Sequence, residues 1–348
     1  MKGHTSVARV VDDWYAVCRS ERLAKQPLGV TIFDVPIVVF RNERGELGAL
    51  LDRCPHRNVP LSIGKVKGDR LQCNYHGWEF DRKGICRSVP GLVGDQSAKG
   101  RNAQHFPVRE QDGFVWVYAT PDVEPERDPF RFPLIGEKGY TTVFQELEVE
   151  GSIHASAENA LDVPHTAYLH GGLFRSSSGT RHEIKVVIKR FHDRVEAEYI
   201  GEPRPGGVAG VLLAPGKGPI THVDRFILPS IAQVEYRFGE RTHLCVTSAL
   251  TPIGDFHTKL FVAASLRLPM WGQVMIPFLK PLLLKIFRQD VFILKRQSEN
   301  IKRFGGERFA STDIDVLGPH ILRLLKSAER GDRNPSAETF IRTLQMMV

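Results

Sequence analysis

The sequence predicts an α+β protein in which an all-β N-terminal domain precedes a larger domain built on an antiparallel sheet. Three observations support this class. Short runs of β-branched and aromatic residues, separated by turn-forming pairs, fill the region from Trp14 to Tyr118. A polar, proline-rich stretch at 121–129 interrupts this pattern and cannot form a central strand. Beyond it, strand patterns and helical patterns are mixed, which is typical of α+β domains.

The predicted strands of the first region are short and follow one another closely. Turn-forming pairs such as Arg44-Gly45 and Lys83-Gly84 separate them. Because the proline-rich stretch is typical of a linker, we place the N-terminal domain at 1–120, the linker at 121–133 and the second domain at 134–348. Within the first domain we predict strands at 29–33, 36–40, 47–51 and 113–118.

The second region begins with a strand pattern and continues with a helical one. Alternating apolar residues predict a strand at 141–149, whereas 156–170 has the pattern of a helix. Further alternating segments at 182–200 and 221–251 predict the other strands of the antiparallel sheet. Between them, residues 201–219 are rich in glycine and proline around an apolar centre, so they form either a mobile lid or an ordinary hairpin loop.

A long amphipathic helix is predicted near the end of the chain. Apolar residues recur there at helical spacing over about 281–304. The core face of this helix contains Ile286, Phe287, Ile293 and Leu294. The preceding segment, 270–288, is rich in large apolar groups with a few cations. It either packs in the core or an interface, or touches a membrane surface.

Length and composition exclude several classes of protein. With 348 residues, 42% hydrophobic and 25% charged, the chain can bury a large core and is not a disordered or disulfide-stapled scaffold. The five cysteines are odd in number and scattered, and the first residues lack the apolar run of a secretory signal, so we expect a cytoplasmic location. Prolines and lysines interrupt the most apolar stretch, so no membrane span is predicted.

Residues 54–78 contain two pairs of metal-binding side chains. Cys54 and His56 form a Cys-x-His pair, and Cys73 and His76 form a Cys-x2-His pair. Structural zinc loops usually pair cysteine with cysteine and histidine with histidine, which is not the pattern here. Mixed pairs suit a [2Fe-2S] cluster in which two thiolates hold one iron and two imidazoles hold the other. We therefore predict that these four residues bind such a cluster.

The basic residues of the first third of the chain suggest a protein partner. Most of the net charge of +7 lies there, but no run of basic residues interleaved with aromatics accompanies it, so we do not expect nucleic acid. Seven basic residues surround the predicted cluster ligands in sequence, and they form either a positive rim for an acidic electron donor or a generic solvated face. They are Arg57, Lys65, Lys67, Arg70, Arg82, Lys83 and Arg87.

A second set of candidate metal ligands lies in the larger domain. His165 and His170 are five residues apart, and a regular helix would point them about 140° away from each other. Pro164 lacks an amide hydrogen, so it introduces the irregularity that would bring them together. Asp290 lies on the core side of the final helix, where an unpaired carboxylate is costly. Two histidines and a carboxylate leave open positions on an iron(II) ion, as in oxygenases. A salt bridge from Asp290 to a nearby basic residue is the alternative.

Together the two sets resemble the Rieske non-haem iron oxygenases, and specifically the oxygenase (alpha) subunit of the monooxygenase and demethylase branch. The resemblance covers nearly the whole chain. The cluster motif matches at the four residues named above, and the late Gln-Asp pair matches at Gln289 and Asp290. The Asn-x2-Asp-x2-His-x4-His motif matches at Asn159, Asp162, His165 and His170.

The resemblance implies an architecture and further roles. The second domain would be a helix-grip (START-like) catalytic domain, and the chain would form a head-to-tail homotrimer in which the cluster of one copy supplies electrons to the iron of the next. Asp162 would bridge the two centres by accepting hydrogen bonds from His165 and from His76 of a neighbouring copy, a contact that also fixes the ligand tautomers. Asn159 would lie near the iron.

The implied activity is that of a terminal oxygenase. Electrons would come from NADH through an external flavin reductase or ferredoxin, since the chain shows no glycine-rich dinucleotide motif. With O2, the mononuclear Fe(II) would hydroxylate or oxidatively demethylate a small hydrophobic substrate, either sterol-like or terpenoid-like or aromatic. Three alternatives remain open: an aromatic-ring dihydroxylating dioxygenase, a Rieske electron carrier without oxygenase activity, and a zinc-stabilised binding protein.

Overall fold

The chain divides into two compact units, which are described separately. One unit comprises residues Val11–Arg131 and Thr251–Gly254, and the other comprises Met1–Val10, Phe132–Leu250 and Asp255–Val348. The division predicted from the sequence, with a linker at 121–133, remains a prediction. The computed structural model describes residues 5–24, 26–96, 98–170, 181–204, 219–268, 276–332 and 340–348.

The first unit is all-β. Its strands form a three-stranded sheet in the order β1-β10-β9, a second in the order β2-β3-β4, and a four-stranded sheet in the order β5-β6-β7-β8. The strands are β1 (Trp14–Arg19), β2 (Leu28–Ile32), β3 (Val35–Arg41), β4 (Leu47–Leu51), β5 (Lys65–Lys67), β6 (Arg70–Gln72), β7 (Glu79–Phe80), β8 (Cys86–Ser88), β9 (Val108–Gln111) and β10 (Phe114–Tyr118). Three short 3-10 helices lie at Ser20–Arg22, Leu61–Ile63 and Lys99–Arg101.

Strand β3 is the structural centre of this unit because it is buried on both faces. Ile37 and Val39 pack into one hydrophobic cluster of the unit. Val38 and Phe40, which point to the opposite face, pack into a second cluster that includes Cys54 and Cys73. The alternation of a β-strand therefore connects the main core to the loops that carry the predicted cluster ligands.

The second unit contains one eight-stranded antiparallel sheet and several helices, so the predicted α+β class is confirmed. The strand order is β11-β17-β16-β15-β14-β13-β12-β18. The strands are β11 (Thr141–Val149), β12 (Glu183–Arg190), β13 (Arg194–Ile200), β14 (Ile220–Ile227), β15 (Ile231–Phe238), β16 (Thr242–Gly254), β17 (His257–Arg267) and β18 (Phe340–Met347). The helices are α1 (Ile153–Leu161), α2 (Thr166–Leu169), α3 (Ile276–Arg303) and α4 (Gly318–Glu329).

Two sequence predictions about the long helix need correction. Helix α3 begins at Ile276, five residues before the predicted start, and Pro281 lies inside it. Pro281 is the sixth residue of this helix and has no N–H, so the helix lacks the hydrogen bond that this position would otherwise donate to the carbonyl four residues earlier. Ile293, predicted on the core face, is 42% exposed, whereas Leu294 is 4% exposed. The real core stripe therefore runs through Ile286, Leu294 and Ile301.

Some predictions fall on residues outside the described ranges. The lid-or-loop question at 201–219 concerns residues 205–218, and the apolar segment at 270–288 includes residues 270–275; neither is described. Among the described helices, none combines the length and the apolar character that crossing a membrane requires. Membrane contact by the 270–288 segment therefore remains a prediction.

The eight-stranded sheet carries a buried ionic cluster centred on His222 of β14. Its Nδ1 lies 2.6 Å from Oε2 of Glu202, and its Nε2 lies 2.9 Å from Oδ1 of Asp224. The imidazole is stacked between the rings of Tyr199 and Tyr236, with centroids 4.5 and 3.8 Å away. Burial lowers the pKa of His222 and is the largest single influence, but the two carboxylates outweigh it and raise the pKa to about 9.

This cluster predicts a pH-dependent contribution to stability. Because the pKa of His222 is higher in the folded chain than its unfolded value of about 6.5, the contribution is fully present below that value and is lost as the pH rises through about 9. His222→Gln should therefore reduce the free energy of unfolding by about 3 kcal/mol more near pH 6 than near pH 10. Denaturant titrations of both proteins at the two pH values measure the difference.

The matched control is His192→Gln, because His192 is exposed and lies 4.0 Å from Asp193. That variant should show little change at either pH, as is usual for surface pairs. An equal loss of stability at both pH values in the His222 variant would contradict the assigned charge state.

Candidate metal centres

Two loops of the first unit have the same backbone pattern. In each, the cysteine N–H donates to the carbonyl five residues later, and the cysteine carbonyl accepts from the N–H four residues later. The distances are 2.9 Å for Cys54 N to Val59 O, 2.8 Å for Asn58 N to Cys54 O, 2.8 Å for Cys73 N to Trp78 O and 3.0 Å for Gly77 N to Cys73 O. The loops at 54–59 and 73–78 therefore present their cysteine and histidine side chains from equivalent turns.

The fourth residue after each cysteine has a left-handed backbone. Asn58 has a φ of 61° and Gly77 has a φ of 73°. These are residue types that tolerate this region with the least strain. A Cβ atom at Gly77 would also lie 3.1 Å from Cγ of Pro90, so the second loop has two reasons to require glycine.

We expect Gly77→Ala to destabilise the first unit by about 1–2 kcal/mol, because alanine would be held in the left-handed region and crowd Pro90. Thermal unfolding and the iron and sulfide content per chain measure the effect. Gly100→Ala is the control, since a Cβ atom there meets nothing within 4 Å and its φ is ordinary. Equal stability of the two variants would contradict the assigned role of the turn.

The two cysteines of these loops are buried and reduced. Cys54 and Cys73 are each 2% exposed, and neither forms a disulfide. Burial, followed by the nearby thiol of Cys73, raises the pKa of Cys54 to about 11. A thiolate is therefore costly here unless a cation accompanies it, which is the condition that iron would supply.

The two histidines lie together at the ends of the same loops. The rings of His56 and His76 are 4.5 Å apart, and His56 stacks on Trp78 at 4.8 Å with nearly parallel planes. Desolvation and then His76 lower the pKa of His56, which favours the neutral ring that binds metals. Within the described chain, Nδ1 of His56 is buried without a hydrogen-bond partner. Two thiols and two imidazoles, one of which has this unpartnered nitrogen, fit a [2Fe-2S] cluster.

The basic rim predicted around these loops is partly neutralised by acidic residues of the same unit. Lys67 and Arg70 both contact Glu79, at 2.8 and 3.2 Å, and Arg87 lies 2.8 Å from Asp81. Burial raises the pKa of Glu79, but the contacts with Lys67 and Arg70 outweigh it and lower the pKa overall. These basic residues therefore attract an acidic partner less strongly than the sequence count suggests.

In the second unit, a break between two helices brings the predicted histidine ligands together. Helix α1 ends at Leu161, and α2 starts at Thr166 after the segment that contains Pro164. Because the helix does not continue, His165 and His170 converge instead of pointing apart. Their Nε2 atoms are 3.2 Å from each other. The continuous helix predicted for 156–170 was therefore wrong at its centre, whereas the predicted irregularity at Pro164 is present.

Asp290 of α3 completes a cluster of three donor atoms. Its Oδ1 lies 3.1 Å from Nε2 of His170 and 3.7 Å from Nε2 of His165. The three donor atoms lie within 4.8 Å of one another. Two donors held about 2.1 Å from one ion and at right angles are about 3.0 Å apart, so the spacing fits a single divalent ion. Two imidazoles and one carboxylate are the donor set of non-haem iron(II) sites.

Neighbouring polar groups orient these three side chains. Oε1 of Gln289 lies 3.0 Å from Nδ1 of His170, so Nδ1 donates to it and Nε2 keeps its lone pair for a metal. Asp162 Oδ2 accepts a hydrogen bond from the backbone N–H of His165 at 3.2 Å and lies 3.3 Å from its Nδ1. Nδ2 of Asn159 donates to Oδ1 of Asp290 at 3.4 Å.

The burial of the three donors is uneven. The His170 side chain is 2% exposed, whereas the side chains of Asp290 and His165 are 17% and 21% exposed. Burial lowers the pKa of His170 most strongly, but the contacts with Asp290 and Gln289 outweigh it and raise the pKa overall. The contacts that orient His170 therefore also favour a proton on its ring, and the site is more exposed on the His165 side.

Sequence reasoning had named the three donors together with Asn159 and Asp162, and the structure brings all five to one place. It had matched Gln289 only as part of a motif, without its hydrogen bond to His170. It had not identified Trp78 as the ring that stacks on His56, or Glu158 as a partly buried carboxyl one helical turn before Asp162. The sequence offered one signal for each: Trp78 is an aromatic residue directly after Gly77, and Glu158 is a carboxylic residue four positions before Asp162.

The fold and these two centres define a class of protein: an all-β domain with two Cys/His loops joined to an antiparallel-sheet domain with a mononuclear metal site. Comparison with known families agrees. Residues 13–103 match the Rieske [2Fe-2S] domain. Residues 149–331, more than half of the chain, match the vanillate O-demethylase oxygenase C-terminal domain. The chain belongs to this family of Rieske oxygenase components.

Similar proteins are named for different oxygenase reactions. The dicamba O-demethylase oxygenase component of Stenotrophomonas maltophilia is 34% identical over 58% of this chain and 58% of its own length. Chlorophyllide a oxygenase of Chlamydomonas reinhardtii is 27% identical over 87% of this chain and 46% of its own. The chain thus matches about half the length of these two relatives. The vanillate O-demethylase oxygenase subunit of Pseudomonas sp. (strain HR199 / DSM 7063) is 26% identical over 90% of this chain and 92% of its own.

Solved structures show the same fold. Dicamba monooxygenase bound to 3,6-dichlorosalicylic acid superimposes with a TM-score of 0.79 at 24% identity, covering 94% of this chain and all of the other. NdmA of Pseudomonas putida CBB5 with caffeine superimposes with a TM-score of 0.76 at 20% identity, covering 96% and 97%. The predicted arrangement of an all-β Rieske domain followed by a helix-grip domain is confirmed.

Proposed function

We propose that this chain is a terminal oxygenase that uses O2 and externally supplied electrons to hydroxylate or oxidatively demethylate a small hydrophobic molecule. One observation carries the proposal: Nε2 of His165, Nε2 of His170 and Oδ1 of Asp290 converge in a chain that also has a Rieske domain. A cluster alone moves single electrons, and a separate three-ligand site gives them a place where bond chemistry occurs.

Each residue has a proposed role in this reaction. Cys54, Cys73, His56 and His76 hold the cluster, and His165, His170 and Asp290 hold the iron. Iron bound at the second site would supply coordination positions for activating O2. Gln289 keeps His170 in the tautomer that leaves Nε2 available. Asp162 holds the backbone N–H of His165, and its carboxylate lies 3.3 Å from Nδ1 of that ring. Asn159 positions the Asp290 carboxylate.

The electron supply requires other proteins. Since the sequence contains no glycine-rich dinucleotide motif, NADH and flavin would bind a partner reductase, with or without a ferredoxin. Asp162 is half-buried beside the ligand His165, which suits a contact with the cluster domain of a neighbouring copy. We therefore propose a homotrimer in which His76 of one copy reaches Asp162 of the next.

The relatives narrow the substrate class. Two of them are named O-demethylases, for dicamba and for vanillate, and both of these molecules are aromatic. We therefore propose aromatic methyl ethers as the first substrates to test, with sterol-like and terpenoid-like molecules as the second group. Dihydroxylation of an aromatic ring is the alternative outcome, and 3-chlorobenzoate-3,4-dioxygenase of Comamonas testosteroni is a 26% identical relative.

Product analysis tests this proposal. The purified chain, loaded with iron and sulfide and supplied with a reductase, a ferredoxin, NADH and O2, is incubated with methoxyaromatic acids and with neutral lipophilic compounds. O-demethylation releases formaldehyde together with the phenol, whereas hydroxylation adds one oxygen and dihydroxylation adds two. His170→Ala is the inactive control. A protein with a reducible cluster that converts no compound and binds no additional iron would instead be an electron carrier.

A further inference from the structure

Helix α1 carries a row of three proton-binding side chains that leads to the candidate iron site. His154, Glu158 and Asp162 are four residues apart along α1 and its C-cap. Residues at this spacing lie above one another on the same side of a helix. Asp162, the last of the three, contacts His165. The row thus runs from the buried start of the helix to the candidate metal ligand His165. Of its three members, only Asp162 has a role in the proposed reaction so far.

The start of helix α4 is shaped around the middle residue of this row. Gly318 is the first residue of α4, and a Cβ atom there would overlap Oε1 of Glu158. The carbonyl of Gly318 also lies 2.8 Å from Nε2 of His154. Any other residue at position 318 would overlap the carboxyl group of Glu158. The contact between α1 and α4 therefore fixes where this carboxyl group lies.

The surroundings of Glu158 favour its protonated form. Burial is the largest influence and raises its pKa, His154 lowers it, and the carboxylates of Asp162 and Asp315 raise it further, so that the pKa is raised overall. The positive end of α4 faces the same carboxyl and favours the anion.

One ring nitrogen of the buried His154, one helical turn before Glu158, lacks a hydrogen-bond partner in the described part of the chain. His154 is 4% exposed, and its Nε2 carries the hydrogen that is donated to the Gly318 carbonyl. In the neutral ring Nδ1 is then an acceptor, and it has no hydrogen-bond partner in the described part of the chain. A buried acceptor without a partner is rare. This unsatisfied nitrogen belongs to the residue one helical turn before Glu158.

We propose that Glu158 is a positioning residue that stores a proton beside Asp162 and supplies it for oxygen reduction. This inference rests on the proposed function. The balanced reaction is R–H + O2 + 2e⁻ + 2H⁺ → R–OH + H2O. The C–H bond breaks and a C–O bond forms. O2 takes two electrons from the reductase system and two from the substrate. The two protons have to reach the iron site, and the partly exposed Asp315 lies close enough to Glu158 to act on its charge.

The first test measures protonation without turnover. In the metal-loaded protein, infrared difference spectra recorded during a pH titration should show the carbonyl band of a protonated carboxyl group at neutral pH. Glu158→Gln should remove this band. Asp315→Asn removes a nearby negative charge, so it should move the titration of the band to lower pH. A band that persists in the Glu158 variant would overturn the inference.

The second test measures how oxygen is used. Glu158→Gln should keep its iron and its cluster, because glutamine has the same shape. The rate of product formation should nevertheless fall about 100-fold, more of the consumed O2 should appear as hydrogen peroxide, and the solvent isotope effect should rise. Glu183→Gln, at an exposed residue of β12, is the control. Wild-type coupling in Glu158→Gln would overturn the proton-supply role, whereas a wild-type protein that forms no product would overturn the proposed function itself.

Discussion

Replacing Asp162 by alanine is expected to leave both metal centres loaded and to lower coupled turnover by about 100-fold, the upper end of the effect for residues that hydrogen-bond metal ligands. Asp162 is not one of the three converging donors, because its Oδ2 lies on the Nδ1 side of His165 at 3.3 Å. Its loss removes the group that orients this ring and the proposed contact with the cluster of a neighbouring copy. Iron content, the signal of the reduced cluster and product yield measure the three effects.

The conservative variant Asp162→Asn separates orientation from charge. Asparagine keeps an oxygen that can accept the backbone N–H of His165, which Asp162 Oδ2 accepts at 3.2 Å. If orientation dominates, the asparagine variant should retain much more activity than the alanine variant. The rate at which O2 reoxidises the pre-reduced cluster in the presence of substrate reports the electron transfer step alone. Normal product formation by Asp162→Ala would remove the bridging role.

Much of the fold follows from local sequence patterns. The strand at 47–51 was predicted with the bounds of β4, and 141–149 with those of β11, because their apolar residues end at clear turn signals. The start of α3 was predicted at Pro281, a residue type that favours the first position of a helix, whereas the helix begins five residues earlier and continues through this proline. The strand β18 pairs with β12, more than 140 residues earlier. Such long-range pairing leaves no local signal.

The candidate ligands could be predicted from spacing, but their supporting contacts could not. Cysteine and histidine pairs are rare enough that their pattern carries chemical meaning, and Pro164 indicated the break that brings His165 and His170 together. The contact of Gln289 with His170 joins residues 119 positions apart. The fit of Glu158 against Gly318 depends on how two helices cross. Both depend on packing between elements, which a single sequence does not encode in its periodicity.

Replacing Asp290 by alanine is expected to empty the mononuclear site and to leave the cluster spectrum unchanged. Asp290 provides the only carboxylate oxygen within 4 Å of both Nε2 atoms in the described part of the chain. Two imidazoles alone leave a divalent ion with one ligand fewer and no compensating negative charge. The iron per chain should therefore fall by about one ion relative to the wild type, together with complete loss of product. Metal analysis and the absorbance of the oxidised cluster give the two readings from one sample.

Asn159→Ala is the matched control for this prediction, because Asn159 donates to the same Oδ1 atom without being a donor to the metal. That variant should keep its iron with an affinity lowered about 10-fold to 100-fold, so it should remain loaded at high iron concentration where Asp290→Ala does not. Full retention of iron by Asp290→Ala would argue that another carboxylate binds the ion. Asp162 is the nearest alternative, but its position beside Nδ1 of His165 would require the imidazole to turn over. The double variant Asp162→Ala with Asp290→Ala tests this alternative. It should lose the iron that Asp290→Ala retains if Asp162 binds the ion, and it should keep that iron if a different carboxylate does.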